Sequence, residues 1–518
     1  MLRLIRRYGP IMTMPILSLG DVAIVSDPAL VKEVFTAPPD VLLGGEGVGP
    51  AAAIYGAGSM FVQEEPEHLR RRKLLTPPLH GTALGRYVPI IEESTRAAMR
   101  DWPVDRPFEL LGAARALMLD VIVKVIFGVD DPDEVRRLGR PFERLLDLGV
   151  SEQLTVRYAL RRAGALRVWP QRARAYREIE DVVMPLIAQR RSDLGRTEQR
   201  DILGLLISAR GDDGEQLSDQ EIRDDLITLM LAGHETTATT LAWVFDLLLH
   251  HPDALRRVQE EAEGGTETFT TAVINETLRV RPPALSRPAL PRARSGSGGY
   301  LIDPGTRIVV HMIAINRNPD VYEQPNRFRP ERFLGTRPQT YAWVPFGGGA
   351  KRCLGAAFSM RELVTVLHVL LREGQFTAVD EAPERIVRRS IMLAPATAPE
   401  CASGPGSKNP FRTLQARAPS LVTATKPSAM KGTAAMTTID LQSASASPAA
   451  PVRETNVYAS AALAFGMVGA VVLSVICAIA ALVDSKKSDQ GRAEAIAGLV
   501  MSAGWVAVLF ALAHWHVV

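Results

Sequence analysis

Residues 345–355 read Pro-Phe-Gly-Gly-Gly-Ala-Lys-Arg-Cys-Leu-Gly, a glycine-rich loop that carries a cysteine at Cys353. Residues 356–371, which follow it directly, have the composition and periodicity of a helix. The positive end of that helix dipole would favour the thiolate form of Cys353. The glycines would let backbone amides approach the sulfur and tune a bound metal. We therefore expect Cys353 to be a metal ligand.

Three cysteines, Cys353, Cys401 and Cys477, occur in the 518 residues of the chain. They cannot supply the four cysteine ligands of a structural zinc site or an iron–sulfur cluster. Their odd number and irregular spacing do not indicate a disulfide framework. The formal net charge of +3 is small for this length and gives no sign of nucleic acid binding.

A long helix is predicted over about residues 219–250. Ser218 and Glu221 have the spacing of a capping box at its start, and Pro252 prevents its continuation. At 1.5 Å per residue the helix would be roughly 48 Å long, so it would cross a whole domain. Its middle, residues 231–238, reads Leu-Ala-Gly-His-Glu-Thr-Thr-Ala, which is unusually small and polar for a buried segment.

The cysteine loop resembles the haem-binding loop of the cytochrome P450 family. The fixed positions of that loop are filled here by Phe346, Gly349, Lys351, Cys353 and Gly355. The resemblance implies that Cys353 is the proximal ligand of the iron of haem b and that Lys351 pairs with a haem propionate. The family more often has arginine or histidine at the basic position; lysine keeps the charge but loses the bidentate geometry of arginine.

The middle of the long helix resembles the oxygen-binding helix of the same family, through residues 232–237 (Ala-Gly-His-Glu-Thr-Thr). The resemblance implies that Glu235 and Thr236 relay protons to bound dioxygen, and that Gly233 leaves room for it. The Thr236 hydroxyl can bond to the carbonyl four residues earlier and bend the helix. His234 is not needed by the motif, and we expect it to be an ordinary helix residue.

Glu276 and Arg279 lie three residues apart on a helix predicted over residues 272–281. Residues 325–333 (Pro-Asn-Arg-Phe-Arg-Pro-Glu-Arg-Phe) resemble a second family motif, whose arginine corresponds to Arg332. The resemblance implies that Arg332 joins Glu276 and Arg279 in a buried ion triad. Within the triad each buried charge would have a partner, which avoids the cost of an unpaired buried charge. The role of the three residues would therefore be structural.

His68 and Arg72 are four residues apart, so they would share one helical face. In the family this spacing holds the haem propionates, and Arg287 is a further candidate for the same role. The neighbouring cations are expected to form a solvated basic face: Arg70, Arg71 and Lys73.

Electrons would have to come from outside the chain, because the sequence contains no flavin or nicotinamide fingerprint. The resemblance therefore implies a redox partner, a small acidic ferredoxin or a flavodoxin with its reductase. A basic surface suits such a partner. The expected docking surface consists of Arg70, Arg71, Lys351 and Arg352.

The resemblance covers about residues 1–400, which would form one haem domain. It implies a mainly helical fold with small β-sheets, in which the long central helix crosses over the haem. Short runs predict strands at residues 11–17, 22–25, 307–311 and 391–393. Gly20-Asp21 indicates a hairpin between the first two strands.

Residues 401–455 are rich in Ser, Ala, Thr and Pro and show no periodicity, which predicts a disordered linker. Residues 459–483 and 495–513 carry no charge, and each segment is long enough to span a bilayer. Residues 456–518 are therefore predicted to form a two-helix membrane hairpin unrelated to the haem domain; buried soluble helices are the alternative. Because residues 1–9 lack a long apolar run, we expect a cytoplasmic haem domain, anchored in the cell membrane through the hairpin.

The family resemblance implies a haem-thiolate monooxygenase that inserts one oxygen atom from O2 into a lipophilic organic substrate. The expected substrate walls are residues 41–60, 149–170 and 284–288. Three alternatives stay open. The first is a peroxygenase on the same fold that uses hydrogen peroxide, against which Glu235 and Thr236 argue. The others are a non-catalytic haem-binding or sensor protein, and a membrane protein whose function resides in residues 456–518.

Overall fold

The computed structural model describes residues 2–404, except residues 17–19, 152–153, 155–168, 194–200, 213, 285, 292–294, 298–299, 337–338, 390–391 and 396–399. These residues belong to one compact unit, Met1–Lys408. No helix of this described part is long and apolar enough to cross a bilayer. The predicted membrane spans 459–483 and 495–513, and residues 405–455 of the predicted linker, lie outside the described residues.

The described part is mainly helical with small sheets, which confirms the fold class predicted for the haem domain. Its helices in chain order are α1 Leu2–Tyr8, α2 Pro28–Thr36, α3 Ala52–Tyr55, α4 Glu67–Leu75, α5 Leu84–Asp101, α6 Leu110–Phe127, α7 Pro132–Val150, α8 Pro170–Ser192, α9 Ile202–Ser208, α10 Asp219–Leu249, α11 Pro252–Gly264, α12 Thr268–Val280, α13 Met312–Asn316 and α14 Ala356–Glu373. Short 3-10 helices lie at Glu46–Ala51, Pro77–Leu79, Gly81–Ala83 and Pro330–Phe333.

The strands are short. In chain order they are β1 Ile11–Ile16, β2 Gly20–Val25, β3 Leu42–Leu43, β4 Pro107–Glu109, β5 Ser286–Pro291, β6 Ser295–Ser297, β7 Tyr300–Ile302, β8 Arg307–His311, β9 Gln375–Ala378, β10 Ile386–Arg389, β11 Met392–Pro395 and β12 Glu400–Gly404. They form a five-stranded sheet in the order β1-β2-β8-β5-β3, a three-stranded sheet β4-β12-β9, and the pairs β6-β7 and β10-β11.

The largest sheet joins sequence-distant parts of the chain. Strands β1 and β2 form the predicted antiparallel hairpin, with Ile11 opposite Val25. Strand β2 pairs in parallel with β8, with Val22 opposite Arg307. A parallel pair needs a long crossover connection, and here most of the helices lie between the two strands.

Helix α10 is the central element of the unit. Its 31 residues make it about 46 Å long. The predicted capping box is present: Glu221 N donates to Ser218 Oγ at 3.3 Å, and Ser218 N donates to Glu221 Oε2 at 2.7 Å. Trp243 and Phe245 are fully buried, and α10 packs against α6, α12 and α14. A helix covered on several sides in this way is interior, so its polar residues must find partners within the protein.

The chain stays in the fold beyond the predicted end of the haem domain at Glu400. Strand β12 is the middle strand of its sheet: Cys401 lies opposite Ala378 of β9 on one side and Phe108 of β4 on the other. Cys401 is fully buried, and burial raises the pKa of its thiol to about 12. Residues 401–404 are therefore part of the compact unit, although the linker prediction began at residue 401.

Candidate active site

The cysteine loop is closed by three backbone hydrogen bonds: Gly347 N to Val344 O at 2.9 Å, Arg352 N to Gly349 O at 3.1 Å and Cys353 N to Phe346 O at 2.9 Å. Cys353 is exposed and lies three residues before Ala356, the first residue of α14. The N-terminal end of a helix favours a thiolate over a thiol. The loop therefore presents a cysteine suited to ionisation on an ordered turn.

The glycines let the loop lie directly on α2. A Cβ on Gly348 would stand 2.5 Å from Phe35 Cδ2, and a Cβ on Gly349, whose φ is +63°, would stand 2.0 Å from Phe35 O. Phe346 packs on the other side, edge to face against Trp343 with ring centroids 5.9 Å apart. At Gly355, in contrast, a Cβ would meet no described atom within 4 Å. The backbone at Gly349 thus tolerates only glycine, whereas Gly355 faces open space.

Three predicted propionate ligands come together beside the cysteine. His68 is buried, and its Nδ1 lies 2.8 Å from Glu65 Oε1. Burial lowers the pKa of His68, and the charge of Lys351 lowers it further. Burial also lowers the pKa of Arg72, whereas the charge of Cys353 raises it. Lys351 Nζ donates to Gln63 O, in the loop that precedes α4. His68, Arg72, Lys351 and Cys353 thus share one electrostatic environment.

Arg287 is the fourth predicted propionate ligand. Its backbone lies in β5 opposite Val310 of β8. Its side chain lies outside the described part of the molecule, so its proposed contact remains a prediction.

The prediction of a solvated basic face on α4 is wrong for Arg71 and incomplete for Arg70. Only 2% of the Arg71 side chain is exposed, and it pairs with Asp225 of α10. Arg70 is 27% exposed and pairs with Glu67, Glu215 and Glu221. Spacing on α4 alone could not reveal that the acids Glu221 and Asp225 of α10 lie against Arg70 and Arg71.

Thr236 and Thr237 bond back to their own helix. The Thr236 hydroxyl donates to Ala232 O at 2.7 Å, and the Thr237 hydroxyl donates to Gly233 O at 2.8 Å. Helix α10 remains continuous through this turn, because each hydroxyl adds a second donor to a carbonyl without removing its amide partner. A Cβ at Gly233 would lie 3.4 Å from Ile122 Cδ1 of α6, an ordinary contact distance, so the space that Gly233 leaves for dioxygen stays a prediction.

Glu235 is buried and forms an ion pair with Arg115 of α6. Arg115 Nε donates to Glu235 Oε2 at 2.9 Å, and Arg115 Nη2 donates to the other carboxylate oxygen. His234, expected to be an ordinary helix residue, is buried and holds Arg115 O through Nε2 at 2.8 Å. Burial lowers the pKa of His234. Two neighbouring residues of α10 therefore hold one residue of α6.

Glu276, Arg279 and Arg332 form one ion cluster on the α12 side of the cysteine loop. Arg279 makes a bidentate pair with Glu276 at 2.7 and 2.8 Å, and both side chains are fully buried. Arg279 also donates to three backbone carbonyls, those of Asn316, Pro325 and Arg327. Arg332 Nε lies 3.4 Å from Glu276 Oε1. The cluster joins α12 to the segment that leads into the cysteine loop.

The residues around Cys353 fit an iron porphyrin. Among the described residues no group of three or more His, Cys, Asp or Glu could hold a bare metal ion. A lone thiolate suits a metal that brings its other ligands with it, as haem iron does. Within the same described part, the half-buried Arg72 guanidinium makes no hydrogen bond or ion pair to protein, so it can donate to a ligand carboxylate.

Comparison with known proteins also indicates an iron porphyrin. The family model for cytochrome P450 matches residues 1–399. The chain belongs to the cytochrome P450 family. Members of this family are haem enzymes, and the cofactor of this P450 is therefore haem, iron protoporphyrin IX.

Two mycobacterial proteins are similar to this P450. A protein named "Putative cytochrome P450 137" from Mycobacterium tuberculosis is 82% identical over 395 residues, which cover 76% of this chain and 83% of the relative. Another, named "Putative cytochrome P450 138" from Mycobacterium bovis, is 37% identical over 398 residues, covering 76% and 88%. The solved structure of retinoic acid-bound cyanobacterial CYP120A1 has a TM-score of 0.65 at 22% identity, covering 77% and 93%; it shows the shared fold.

Three residues of this P450 were missed by sequence reasoning. Arg115 is the one arginine in the apolar helix α6, a signal that a buried partner was needed. His80 Nε2 lies 3.0 Å from Leu354 O, directly after the cysteine, and nothing in the sequence indicated this approach. Glu362 stands on the buried face of α14, and burial raises its pKa to about 8. An acid four residues after Phe358 on an apolar face could have flagged it.

Proposed function

We propose that this P450 is a monooxygenase that inserts one oxygen atom from O2 into a lipophilic organic substrate, with electrons from an external redox partner. The observation that carries the proposal is the ordered cysteine loop, with Cys353 in the field of His68, Arg72 and Lys351. Haem, when bound, supplies the binding and activation of dioxygen. The chain holds this group, excludes water and moves protons.

Cys353 is proposed as the proximal ligand of the iron. The hydrogen bond from its amide to Phe346 O and the contacts of Gly348 and Gly349 with Phe35 fix the loop. Phe346, Gly349 and Gly355 would then line the proximal side of the cofactor. A rigid loop would keep the sulfur in place and hold backbone amides near it, which tunes the potential of the metal.

The propionates are proposed to bind to His68, Arg72 and Lys351, with Arg287 as a further donor. Arg72 and Lys351 would supply positive charge, and His68, whose pKa is lowered by burial, would supply a ring N–H as a hydrogen-bond donor. Charge-assisted hydrogen bonds of this kind are the strong ones. Glu276, Arg279 and Arg332 are proposed to keep the proximal scaffold in shape and to take no part in the chemistry.

Glu235 and Thr236 are proposed to deliver protons to the oxygen side of the site. The Thr236 hydroxyl donates to Ala232 O, one turn earlier in α10. The Glu235 carboxylate is held by Arg115, whose side chain is 30% exposed against 8% for Glu235. Opening of this ion pair would let Glu235 take a proton at the surface and pass it inward. A buried acid with one partly solvated partner is suited to this exchange.

The redox partner is proposed to be a ferredoxin or a flavodoxin. Its expected docking surface loses Arg71, which is buried, and most of Arg70. Arg352, exposed beside Cys353, remains. Of the predicted substrate walls, residues 41–60 lie largely in the described part, and their apolar character supports a lipophilic substrate.

The test is the carbon monoxide difference spectrum of the reduced, purified protein. We expect a Soret band at the long wavelength typical of a thiolate-ligated haem, and the loss of that band in Cys353→Ser. A short-wavelength band in the wild type would contradict the thiolate assignment. Turnover with a reductase system but not with hydrogen peroxide would then separate a monooxygenase from a peroxygenase, the alternative that Glu235 and Thr236 disfavour.

The predicted hairpin of residues 456–518 is proposed as a membrane attachment of a cytoplasmic haem domain. Its support is the sequence alone: two uncharged segments of membrane-spanning length. Cell fractionation of the native protein checks it. Recovery of all haem in the high-speed supernatant without detergent would contradict the attachment.

A further inference from the structure

Arg71 lies on α4 between the two proposed cofactor-binding residues in sequence, three residues after His68 and one before Arg72. Arg71 Nη2 and Asp225 Oδ1 are 2.6 Å apart, and Arg71 Nε donates to Asp225 Oδ2 at 3.1 Å. The two side chains are 2% and 0% exposed. The pair consists of one hydrogen bond, at Oδ2, and one close charge contact, at Oδ1, which accepts no hydrogen bond among the described residues. The guanidinium thus sets the angle between α4 and α10.

The same guanidinium also binds two backbone carbonyls. Arg71 Nη2 donates to Glu221 O in the first turn of α10 at 2.9 Å, and Arg71 Nη1 donates to Gly58 O. Gly58 belongs to the loop between α3 and α4, within the segment proposed as a substrate wall. One side chain therefore connects the substrate loop, α4 and α10.

The loop has a second, independent attachment to α10. Ser59 Oγ lies 2.7 Å from Thr228 Oγ1, and both side chains are buried. At Gly58 the loop approaches α10 so closely that a Cβ would lie 1.7 Å from Asp224 Oδ2. The junction is thus packed as well as hydrogen-bonded, and it leaves no room for a shift of the loop alone.

The other ion pairs of α4, Arg70 with Glu221 and Lys73 with Asp212, are more exposed than the Arg71–Asp225 pair. Helix α4 has nine residues, and its apolar anchors, Leu74 and Leu75, lie at its C-terminal end. His68 and Arg72 lie within one turn of Arg71, so a rotation or shift of α4 at the Arg71 contact would move both. Burial raises the pKa of Asp225, and the Arg71 charge counteracts this rise. With Arg71 in place the pKa of Asp225 is still raised to about 7, so loss of Arg71 would favour the protonated acid further.

We propose that Arg71 and Asp225 are positioning residues: their buried ion pair holds α4 at the orientation in which His68 and Arg72 can bind the cofactor, and it couples this orientation to the substrate loop through Gly58. The inference rests on the proposed function, in which α4 supplies the propionate ligands.

The test compares holoenzyme variants of the full chain. Asp225→Asn removes the charge, and Arg71→Lys keeps a cation but loses the planar guanidinium with its several donors. The double variant Arg71→Leu/Asp225→Leu removes both charges, which is often neutral for stability. Asp201→Asn is the matched control. It breaks another arginine–aspartate pair, Arg190–Asp201 at 2.9 Å, which joins α8 to the start of α9 and does not involve α4.

Three quantities are measured: the rate of haem transfer to apomyoglobin, amide hydrogen exchange in α4, and the thermal midpoint. Asp225→Asn and the double variant are expected to lose haem about tenfold faster and to exchange α4 amides faster. Arg71→Lys is expected to lie between them and the wild type. Asp201→Asn is expected to lower the midpoint while leaving haem transfer unchanged.

The double variant makes the inference refutable, because it separates orientation from stability. Wild-type haem transfer and wild-type exchange of α4 in a stable double variant would overturn the proposal. Equal acceleration of haem loss by Asp201→Asn would also overturn it, since general destabilisation would then suffice. Failure of the proposed function would look different: the wild type itself would lack the thiolate band, and exchange of α4 in the variants would still decide whether the pair holds the helix.

Discussion

Two glutamate–arginine pairs in this P450 have the same chemistry and opposite surroundings. Glu276 and Arg279 are both fully buried, and Arg279 donates to three carbonyls besides its carboxylate. Glu235 is 8% exposed, but its partner Arg115 is 30% exposed. The first pair cannot open without stranding several buried groups, whereas the second can exchange one partner for water. The difference teaches that burial of the arginine, rather than the pairing itself, would separate the proposed structural role of Glu276 from the proposed relay role of Glu235.

A third glutamate, Glu362, differs from both because no described arginine forms an ion pair with it. It is 1% exposed, and among the described residues its Oε2 accepts no hydrogen bond. Only burial acts on it, and burial raises its pKa to about 8. Near neutral pH it is thus a protonated acid in the core. The three residues span a fixed charge, an exchangeable charge and no charge.

The largest effect is expected where the arginine is most deeply engaged. Arg279→Lys retains a cation but abandons most of the carbonyl acceptors, and breaking a buried pair costs about 3–5 kcal/mol. We expect little or no folded, haem-loaded protein, measured as haem per polypeptide after purification. Arg332→Lys is the control: Arg332 is 11% exposed and 3.4 Å from Glu276, so most of the holoprotein is expected to survive. Equal losses in both variants would remove the distinction.

An intermediate effect, confined to turnover, is expected at the exchangeable pair. Glu235→Gln cannot carry a proton as a carboxylate does, and loss of a general acid–base group typically costs about 10²-fold or more in rate. We expect product formed per reductant consumed to fall while haem content and the carbon monoxide band stay normal. Thr237→Val, which removes the neighbouring hydroxyl that bonds to Gly233 O, is the matched control and should change turnover little. A normal rate in Glu235→Gln would assign the relay to another group.

The smallest effect is expected at the uncharged glutamate, and it appears only as a pH dependence. Because the pKa of Glu362 is raised from 4.5 to about 8 in the folded protein, the folded state holds one more proton than the unfolded chain between these values. Its stability therefore falls as the pH rises through this window, by at most about 1.4 kcal/mol per pH unit. Glu362→Gln should remove this slope. Urea unfolding at a series of pH values measures it, and parallel curves for the two proteins would contradict the assignment.

The sequence predicted the local features of the site well, because they depend on spacing within one element. The capping box of α10, the Thr236 hydroxyl bond to Ala232 O and the hairpin of β1 and β2 are all short-range. Fold class followed from the resemblance of the cysteine loop and the long helix to one family.

What the sequence did not predict are contacts between distant elements. Arg71 was expected in solvent, yet a residue 154 positions away neutralises it inside the protein. His234 was expected to be an ordinary helix residue, yet it is buried and bonds to Arg115 O of α6. In both cases the helix was predicted correctly, but its rotation relative to its neighbours was needed to say which face was buried. That rotation is set by packing between α4, α6 and α10, which no local pattern encodes.

The position of β12 bears on where this protein can be cut. Because Cys401 and Ala402 are hydrogen-bonded on both sides, to β4 and to β9, this strand lies in the interior of its sheet and not at its rim. A truncation after Glu400 would expose two adjacent strand edges at once, and such edges invite pairing between molecules. Soluble haem-domain preparations should therefore end beyond Gly404; a shorter version is expected to aggregate even though its cofactor-binding residues are all present.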